Sequence, residues 1–172
     1  MNGPRVLVSL LLVLAAVLVQ TTVFHSVRPF GVSPDVVLLA VIGAARWAKP
    51  EVGVLLGFAG GLVLDMFGTA PLGLNALAFT LAAYMTVRIG DRFNYGLAFA
   101  LSSVGAVTFI GLATVALIGT MFGEGTLGSP GILKTLLLVP VYNMVLSVAV
   151  LPLFDRVAAV PSAGYSGVGS RP

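Results

Sequence analysis

Charged residues are scarce in this sequence, which has nine Lys or Arg and six Asp or Glu among 172 residues. A soluble domain typically carries about 25% charged residues, whereas only 9% of this chain is charged and 58% is hydrophobic. A surface made from this composition cannot be covered with charge, which excludes an ordinary soluble domain. The length predicts a single domain, and the composition predicts that it lies in a lipid bilayer.

Cysteine is absent and histidine occurs once, as His25. The lack of cysteine excludes disulfides, thiolate nucleophiles and cysteine-ligated metals. One histidine and six scattered carboxylates do not make a His-rich metal centre either. The chain also lacks a Lys/Arg-rich run of nucleic-acid-binding type, a nucleotide-binding loop and a Ser-His-Asp set. We therefore expect no metal, no cofactor, no nucleic-acid partner and no enzymatic activity.

Long apolar runs make up most of the chain. A bilayer core about 30 Å thick needs about 20 apolar residues per helix, and breaks rich in Pro, Gly or charge separate the runs. The sequence predicts an all-α fold, a six-helix transmembrane bundle with spans at residues 6–24, 34–48, 52–67, 72–87, 95–122 and 132–154. Together they form one domain over residues 1–160, and the Ser/Gly/Pro-rich residues 161–172 are predicted to be a disordered tail.

The second and third spans are short for a full crossing and could instead form a re-entrant hairpin. The tip of such a hairpin would bury Arg46, Lys49 and Glu51, at a cost of about 2.5–3.5 kcal/mol each near mid-bilayer. Two crossings in a locally thinned bilayer avoid that cost. We therefore favour two separate spans.

Basic residues fall mainly on one side of the predicted bundle. Lys and Arg are enriched in cytoplasmic loops, and six spans with an internal N-terminus place seven basic residues inside: Arg5, Arg46, Lys49, Arg88, Arg92, Arg156 and Arg171. Only Arg28 and Lys134 fall outside. This asymmetry predicts that both termini are cytoplasmic.

The third span carries glycines at every fourth position. Gly53, Gly57 and Gly61 form a ridge on one helix face, and Asp65 continues the same spacing. Small residues allow transmembrane helices to approach closely. The ridge is interpreted either as a packing seam within the bundle or as a docking face for a partner's helix.

Asp65 is the most interesting carboxylate because ionisable residues within spans are rare and costly. It is predicted to lie near the outer boundary of the bilayer, with Asn75 of the next span at a similar depth. One interpretation is a small polar pocket open to the outside, which also includes Thr69. The other is an interfacial carboxylate that is solvated or that caps backbone in the following turn.

Further polar or kink-forming residues are assigned structural roles. Asn143 is expected near mid-depth in the sixth span, where it must find a hydrogen bond across helices. Gln20 is interpreted as a boundary residue. The remaining structural residues are Pro34, Pro71, Gly73 and Pro140.

Four stretches follow one another in a recognisable order: Gln20-Thr21, Pro34-Asp35-Val36-Val37-Leu38-Leu39, Gly57-Phe58-Ala59-Gly60-Gly61-Leu62-Val63-Leu64-Asp65, and Pro71-Leu72-Gly73-Leu74-Asn75-Ala76-Leu77 with Ala83-Tyr84. The ordered set resembles the bacterial rod-shape-determining MreD family, whose third span reads Gly-Phe-x-x-Gly-Leu-Leu-x-Asp. The resemblance covers about residues 6–88 well, and beyond them it rests mainly on hydropathy.

The resemblance implies a non-enzymatic, multi-pass scaffold in the bacterial inner membrane. Its implied partners are the bitopic protein MreC and, in the same cell-elongation complex, the MreB filament, the RodA glycosyltransferase and a class B penicillin-binding protein. It also implies a fold similar to the substrate-binding subunits of energy-coupling-factor transporters. A vitamin-type transport subunit is therefore the alternative, although Ala15 and Ala16 lack the Ala-x-x-x-Ala pattern of those subunits.

Overall fold

The structure, a computed structural model, describes residues 3–24, 28–68, 71–90 and 96–159. These residues form α-helices and short 3₁₀ turns, with no strand among them. The six α-helices are α1 (Gly3–Thr22), α2 (Val36–Ala45), α3 (Pro50–Phe67), α4 (Leu74–Ile89), α5 (Leu97–Met121) and α6 (Ile132–Ala159). The tail predicted to be disordered, residues 161–172, lies outside the described residues.

Four of these helices, α1, α3, α5 and α6, are long and apolar enough to cross a membrane. The other two apolar helices are shorter: α2 has 10 residues and α4 has 16. At a rise of 1.5 Å per residue, α2 is only about 15 Å long. It is therefore well short of the predicted span 34–48.

The short helix α2 lies in the centre of the protein. Nine of its ten residues are buried, from Val37 to Ala45. Its first turn is capped by Asp35, whose side chain accepts a hydrogen bond from the Leu38 amide at 2.9 Å, and a turn that begins at Arg46 follows its last residue. A helix that is apolar on all sides and covered by longer helices does not need the length of a full span.

Helices α3 and α4 run antiparallel in very close contact. A Cβ atom added at Gly57 would lie 2.5 Å from the Phe79 carbonyl oxygen, and one added at Gly61 would lie 2.5 Å from the Asn75 carbonyl oxygen. At Gly53 the obstacle is the side chain of Val87, at 2.7 Å. The glycine ridge is therefore the surface on which α4 packs.

The described basic residues are concentrated at one end of the helix assembly. Arg5, Trp47 and Asp155 line one groove there, and Gly90 approaches the carbonyl oxygen of Arg46. This end, called the basic end below, carries Arg5, Arg46, Lys49, Arg88 and Arg156. The connections at the opposite end carry Arg28, and Lys134 lies in the first turn of α6.

Large apolar side chains cover the outside of the helices. Examples are Leu18 on α1, Leu55 on α3, Leu117 on α5 and Val145 on α6, each more than half exposed. A soluble protein would bury such residues or surround them with charge. Apolar helices with this outer surface are those of an integral membrane protein, whose solvent is lipid.

The α3–α4 contact predicts a large effect of Gly61→Ala. The added methyl group meets backbone atoms of Asn75 and Ala76, which cannot rotate away, so the helices must separate. We expect the free energy of unfolding to fall by about 3 kcal/mol, the upper part of the usual range for overpacking. Thermal unfolding of the purified protein in detergent measures this, with Gly3→Ala as control because no atom lies within 4 Å of its added Cβ. Equal melting temperatures of the two variants would contradict the close contact.

Candidate functional site

The carboxylate of Asp65 is buried and fully engaged at the junction of α3 and α4. Its side chain is 2% exposed. Oδ1 accepts hydrogen bonds from the backbone and side-chain nitrogens of Asn75 at 3.1 and 2.7 Å. Oδ2 accepts from the amides of Gly73 and Ala76 at 2.9 and 3.2 Å. Four donors therefore converge on one carboxylate, called the Asp65 cap below.

The Asp65 cap replaces the side chain that a helix start normally supplies. The residue before α4 is Gly73, which has a φ of +97° and no side chain to cap the helix. The first amides of a helix need acceptors, and a negative charge is favoured beside them by the helix dipole. Gly61 lies one turn before Asp65 and admits the first turn of α4. The glycine and the carboxylate together hold that turn in place.

Two site expectations from the sequence need correction. Within the described residues, the Asp65 carboxylate does not line a pocket open to the outside, because it is buried and accepts hydrogen bonds at the start of α4; Thr69 lies outside the described residues. The face of Gly53, Gly57 and Gly61 is not free to receive a partner's helix, because α4 of the same chain covers it. Asp65 and Asn75 are brought together, as the sequence suggested, with the Asp65 carboxylate buried.

A second polar cluster surrounds the start of α2. Asn143 of α6 is fully buried, and its Nδ2 donates to the carbonyl oxygen of Asp35 at 2.9 Å and to Oγ1 of Thr108 at 3.3 Å. Its Oδ1 accepts from the Asp35 amide at 3.2 Å. The Asn143 side chain thus bonds to both the amide and the carbonyl oxygen of Asp35, the residue that caps α2. The bonds join α6 to α5 and to the start of α2.

Gln20 of α1 completes this cluster, called the α2 clamp below. Its Nε2 donates to the carbonyl oxygen of Pro34 at 3.0 Å, and its Oε1 accepts from the amide of Val36 at 2.9 Å. Gln20 was interpreted from the sequence as a boundary residue, whereas its side chain bonds to backbone groups at the start of α2. A usable signal was present, since an amide at the end of an apolar helix must find partners and the second predicted span supplied a new helix start.

The basic end is joined by a charged contact between α2 and α6. Nη1 of Arg46 lies 3.2 Å from Oδ1 of Asp155, and Nε1 of Trp47 donates to the same oxygen at 2.8 Å. The Arg46 guanidinium also stacks 5.2 Å from the centroid of the Trp47 ring. This end of α2 is therefore fixed to the last turns of α6.

The prolines and the turn glycine occupy helix starts or helix interiors. Pro34 is buried directly before α2. The Pro71 carbonyl oxygen accepts from the Leu74 amide at 3.2 Å in the turn before α4, and Gly73 has the positive φ in that turn. Pro140 lies buried inside α6, where it removes one backbone donor.

The buried polar side chains of the described residues make hydrogen bonds within the protein. Every buried side-chain nitrogen or oxygen among them has a hydrogen-bond partner. In the same part of the chain, His, Asp and Glu do not gather in a group of three that could hold a metal. The two polar clusters bind backbone groups of neighbouring helices, which is an arrangement that fixes helices relative to one another.

The Asp65 cap predicts graded losses of stability. Asp65→Asn places an amide NH₂ against amides that need an acceptor, and we expect a loss of about 2 kcal/mol, the scale of a hydrogen bond to a charged group. Asp65→Ala leaves several donors unsatisfied and should cost about 3 kcal/mol or more. Unfolding of the purified variants measures both.

The control for these variants is Glu124→Ala, at an exposed carboxylate, which should change stability by less than about 0.5 kcal/mol. Asn75→Ala should cost less in the Asp65→Ala background than in the wild type, because its partner is already missing. Strict additivity of the two substitutions would contradict the pairing of Asp65 with Asn75.

A known family model covers most of the chain. The sequence model of the family described as rod shape-determining protein MreD matches residues 3–155. The matched region includes both polar clusters and all six α-helices up to the last turn of α6. No curated protein and no solved structure matches the chain.

Proposed function

Because the chain belongs to the rod shape-determining MreD family and has a role in rod-shape determination, we propose that it is a non-enzymatic membrane scaffold of the cell-elongation complex. In this role it binds MreC and helps to organise peptidoglycan synthesis. The observation that carries the proposal is the use of its polar groups. Asp65, Asn143 and Gln20 bond to the chain's own backbone, which suits a protein that presents a fixed outer surface.

The proposed topology is multi-pass in the bacterial inner membrane, with both termini cytoplasmic. The domain is a six-helix bundle over residues 1–160, and residues 161–172 form the proposed disordered cytoplasmic tail. The basic end supports this orientation, since cytoplasmic ends are enriched in Lys and Arg. In this arrangement the short helices α2 and α4 lie behind longer neighbours, where a thinner crossing is tolerated.

MreC is the proposed direct partner, and MreB, RodA and a class B penicillin-binding protein belong to the same complex. Because a bitopic partner offers a single transmembrane helix, one helix-sized surface is enough to bind it. The glycine ridge is already used by α4. The partner contact is therefore proposed for the opposite, outward face of α3, defined by Leu55, Phe58 and Met66.

The sequence of α3 supports this choice. The positions that resemble the family pattern divide between two faces of the helix. Gly57, Gly61 and Asp65 point inward, where α4 explains each of them. Phe58 belongs to the same pattern but is 42% exposed, so internal packing does not account for it. Leu55 and Met66 extend the exposed surface on the same side, at 65% and 70%.

Helix association in lipid depends on packing between complementary surfaces, because apolar area alone gives no preference for protein over lipid. An aromatic side chain standing out from α3 provides such a shape. The Asp65 cap and the glycine seam hold α3 against α4. These contacts would thereby support the partner surface without touching the partner. The residues proposed to contribute to partner binding in this indirect way are Gly53, Gly57, Gly61, Asp65 and Asn75.

The proposal predicts that Phe58→Ala, alone or with Leu55→Ala, weakens binding to MreC. We expect about a tenfold drop in co-purification from native membranes, because loss of a central aromatic contact typically costs more than 1 kcal/mol. Protein level and melting temperature should stay unchanged because both side chains face outward. Cells that depend on the variant should lose their rod shape.

The matched control is Val145→Ala with Leu137→Ala on the exposed face of α6. These substitutions remove a comparable apolar surface and should leave both co-purification and cell shape intact. Undiminished recovery of MreC with the α3 variants, or an equal loss with the α6 variants, would show that the partner does not bind on the outer face of α3.

The vitamin-type transport subunit has no comparable support. No arrangement within the described residues favours a solute site over the scaffold, and its polar interior groups already have partners. The scaffold is therefore the function proposed for this chain.

A further inference from the structure

A lateral groove lies between α4 and α5 on the outside of the protein. It has a volume of about 370 Å³ and is lined almost entirely by apolar atoms. From α4 it is bordered by Met85 and Ile89, and from α5 by Phe99, Ala106 and Ile110. Neither the Asp65 cap nor the α2 clamp uses these residues, and the groove is separate from the outer face of α3.

The groove has the length of one leaflet. Its lining on α5 extends from Phe99 to Ile110, and these 11 helical steps at 1.5 Å each span about 16 Å. The hydrocarbon core of a bilayer is about 30 Å thick, so one leaflet contributes about half of that. A partner's transmembrane helix would cross the full thickness, whereas a lipid acyl chain occupies one leaflet only.

A cation lies at one end of this apolar groove. Arg88 is in the last turn of α4, at the basic end of the protein, and it is the one charged side chain among the described residues that line the groove. Its Nε donates to the Tyr84 hydroxyl at 3.0 Å, and its guanidinium stacks 5.1 Å from the Tyr84 ring centroid. Tyr84 also lines the groove, so it positions the cation at the groove's mouth.

The Arg88 side chain is exposed. Among the described residues, its one hydrogen-bond partner is the Tyr84 hydroxyl, which accepts from Nε, and the terminal nitrogens bond to none of them. An Arg could simply extend to the membrane surface, but this one is held against the Tyr84 ring beside the apolar groove. A cation above a leaflet-long apolar channel matches a phosphate headgroup attached to an acyl chain.

We infer that this groove binds one anionic phospholipid of the leaflet at the basic end. The phosphate lies against the Arg88 guanidinium, and one acyl chain runs along α5 past Ala106 towards Ile110. Basic pockets between transmembrane helices are known sites for anionic headgroups. The inference concerns α4 and α5 and does not depend on the partner surface proposed for α3.

The test is native mass spectrometry of the full-length protein titrated with phosphatidylglycerol and, separately, with phosphatidylcholine. We expect one phosphatidylglycerol to bind the wild type more tightly than phosphatidylcholine. Arg88→Gln should weaken phosphatidylglycerol about fivefold, the effect of one basic residue near an anionic headgroup. It should weaken phosphatidylcholine less, because the choline cation offsets the charge of that lipid's phosphate. Ala106→Phe fills the channel and should abolish the tight site for both lipids.

Two controls separate this site from general lipid binding. Arg156→Gln removes a basic residue at the same end but outside the groove, and Ala98→Phe enlarges an exposed residue of α5 that does not line it. Both should bind phosphatidylglycerol like the wild type. The inference is overturned if Arg88→Gln has no effect or if Arg156→Gln has the same effect. It is also overturned if a photo-crosslinker at Ala106 captures a polypeptide instead of lipid in native membranes.

Discussion

Backbone groups at the start of a helix need hydrogen-bond partners, and at the partly buried start of α2 other helices of the protein provide them. Unsatisfied groups of this kind cost several kcal/mol in an apolar environment. The residues from Pro34 to Val36 are therefore satisfied by side chains from two other helices, Gln20 of α1 and Asn143 of α6. Because these amides reach α2 from different directions, the requirement of one helix start fixes the positions of three helices. The position of the start of α2 among the other helices follows from this arrangement.

The same constraint is met at α4 in a different way. Its first turn lacks a side-chain cap of its own, and Asp65 of α3 supplies four acceptor contacts. Gly61 allows the two backbones to approach closely enough for these contacts to form. With these polar groups used inside, large apolar side chains such as Leu55 and Val145 remain on the outside, where lipid is their solvent. The scaffold role proposed for this chain needs a surface of fixed shape, and the hydrogen bonds of the two polar clusters join the helices that would present it.

Hydropathy and residue spacing predicted the all-helical fold, the apolar helices and the importance of Asp65, because these depend on composition along a single segment. The residue at which α2 begins could not be predicted in this way, because side chains from α1 and α6 bond to the backbone there. The spacing of Gly53, Gly57 and Gly61 identified a close helix contact but not its occupant, since a ridge of glycines fits a helix of the same chain as well as a partner's. The contact of Gln20 with the start of α2 was missed for a related reason. Its partners are backbone atoms of Pro34 and Val36, and every residue type has such atoms, so no sequence pattern identifies them.

Hydrogen–deuterium exchange of the full chain in a lipid bilayer tests the α2 clamp most directly. We expect the amides of Asp35 and Val36 to be among the slowest to exchange, because side chains of α6 and α1 accept hydrogen bonds from them. Gln20→Leu, which removes the acceptor for the Val36 amide, should accelerate exchange at the start of α2 and leave the middle of α5 unchanged. Fast exchange of these two amides in the wild type, or no acceleration in the variant, would contradict the claim that the clamp holds the central helix.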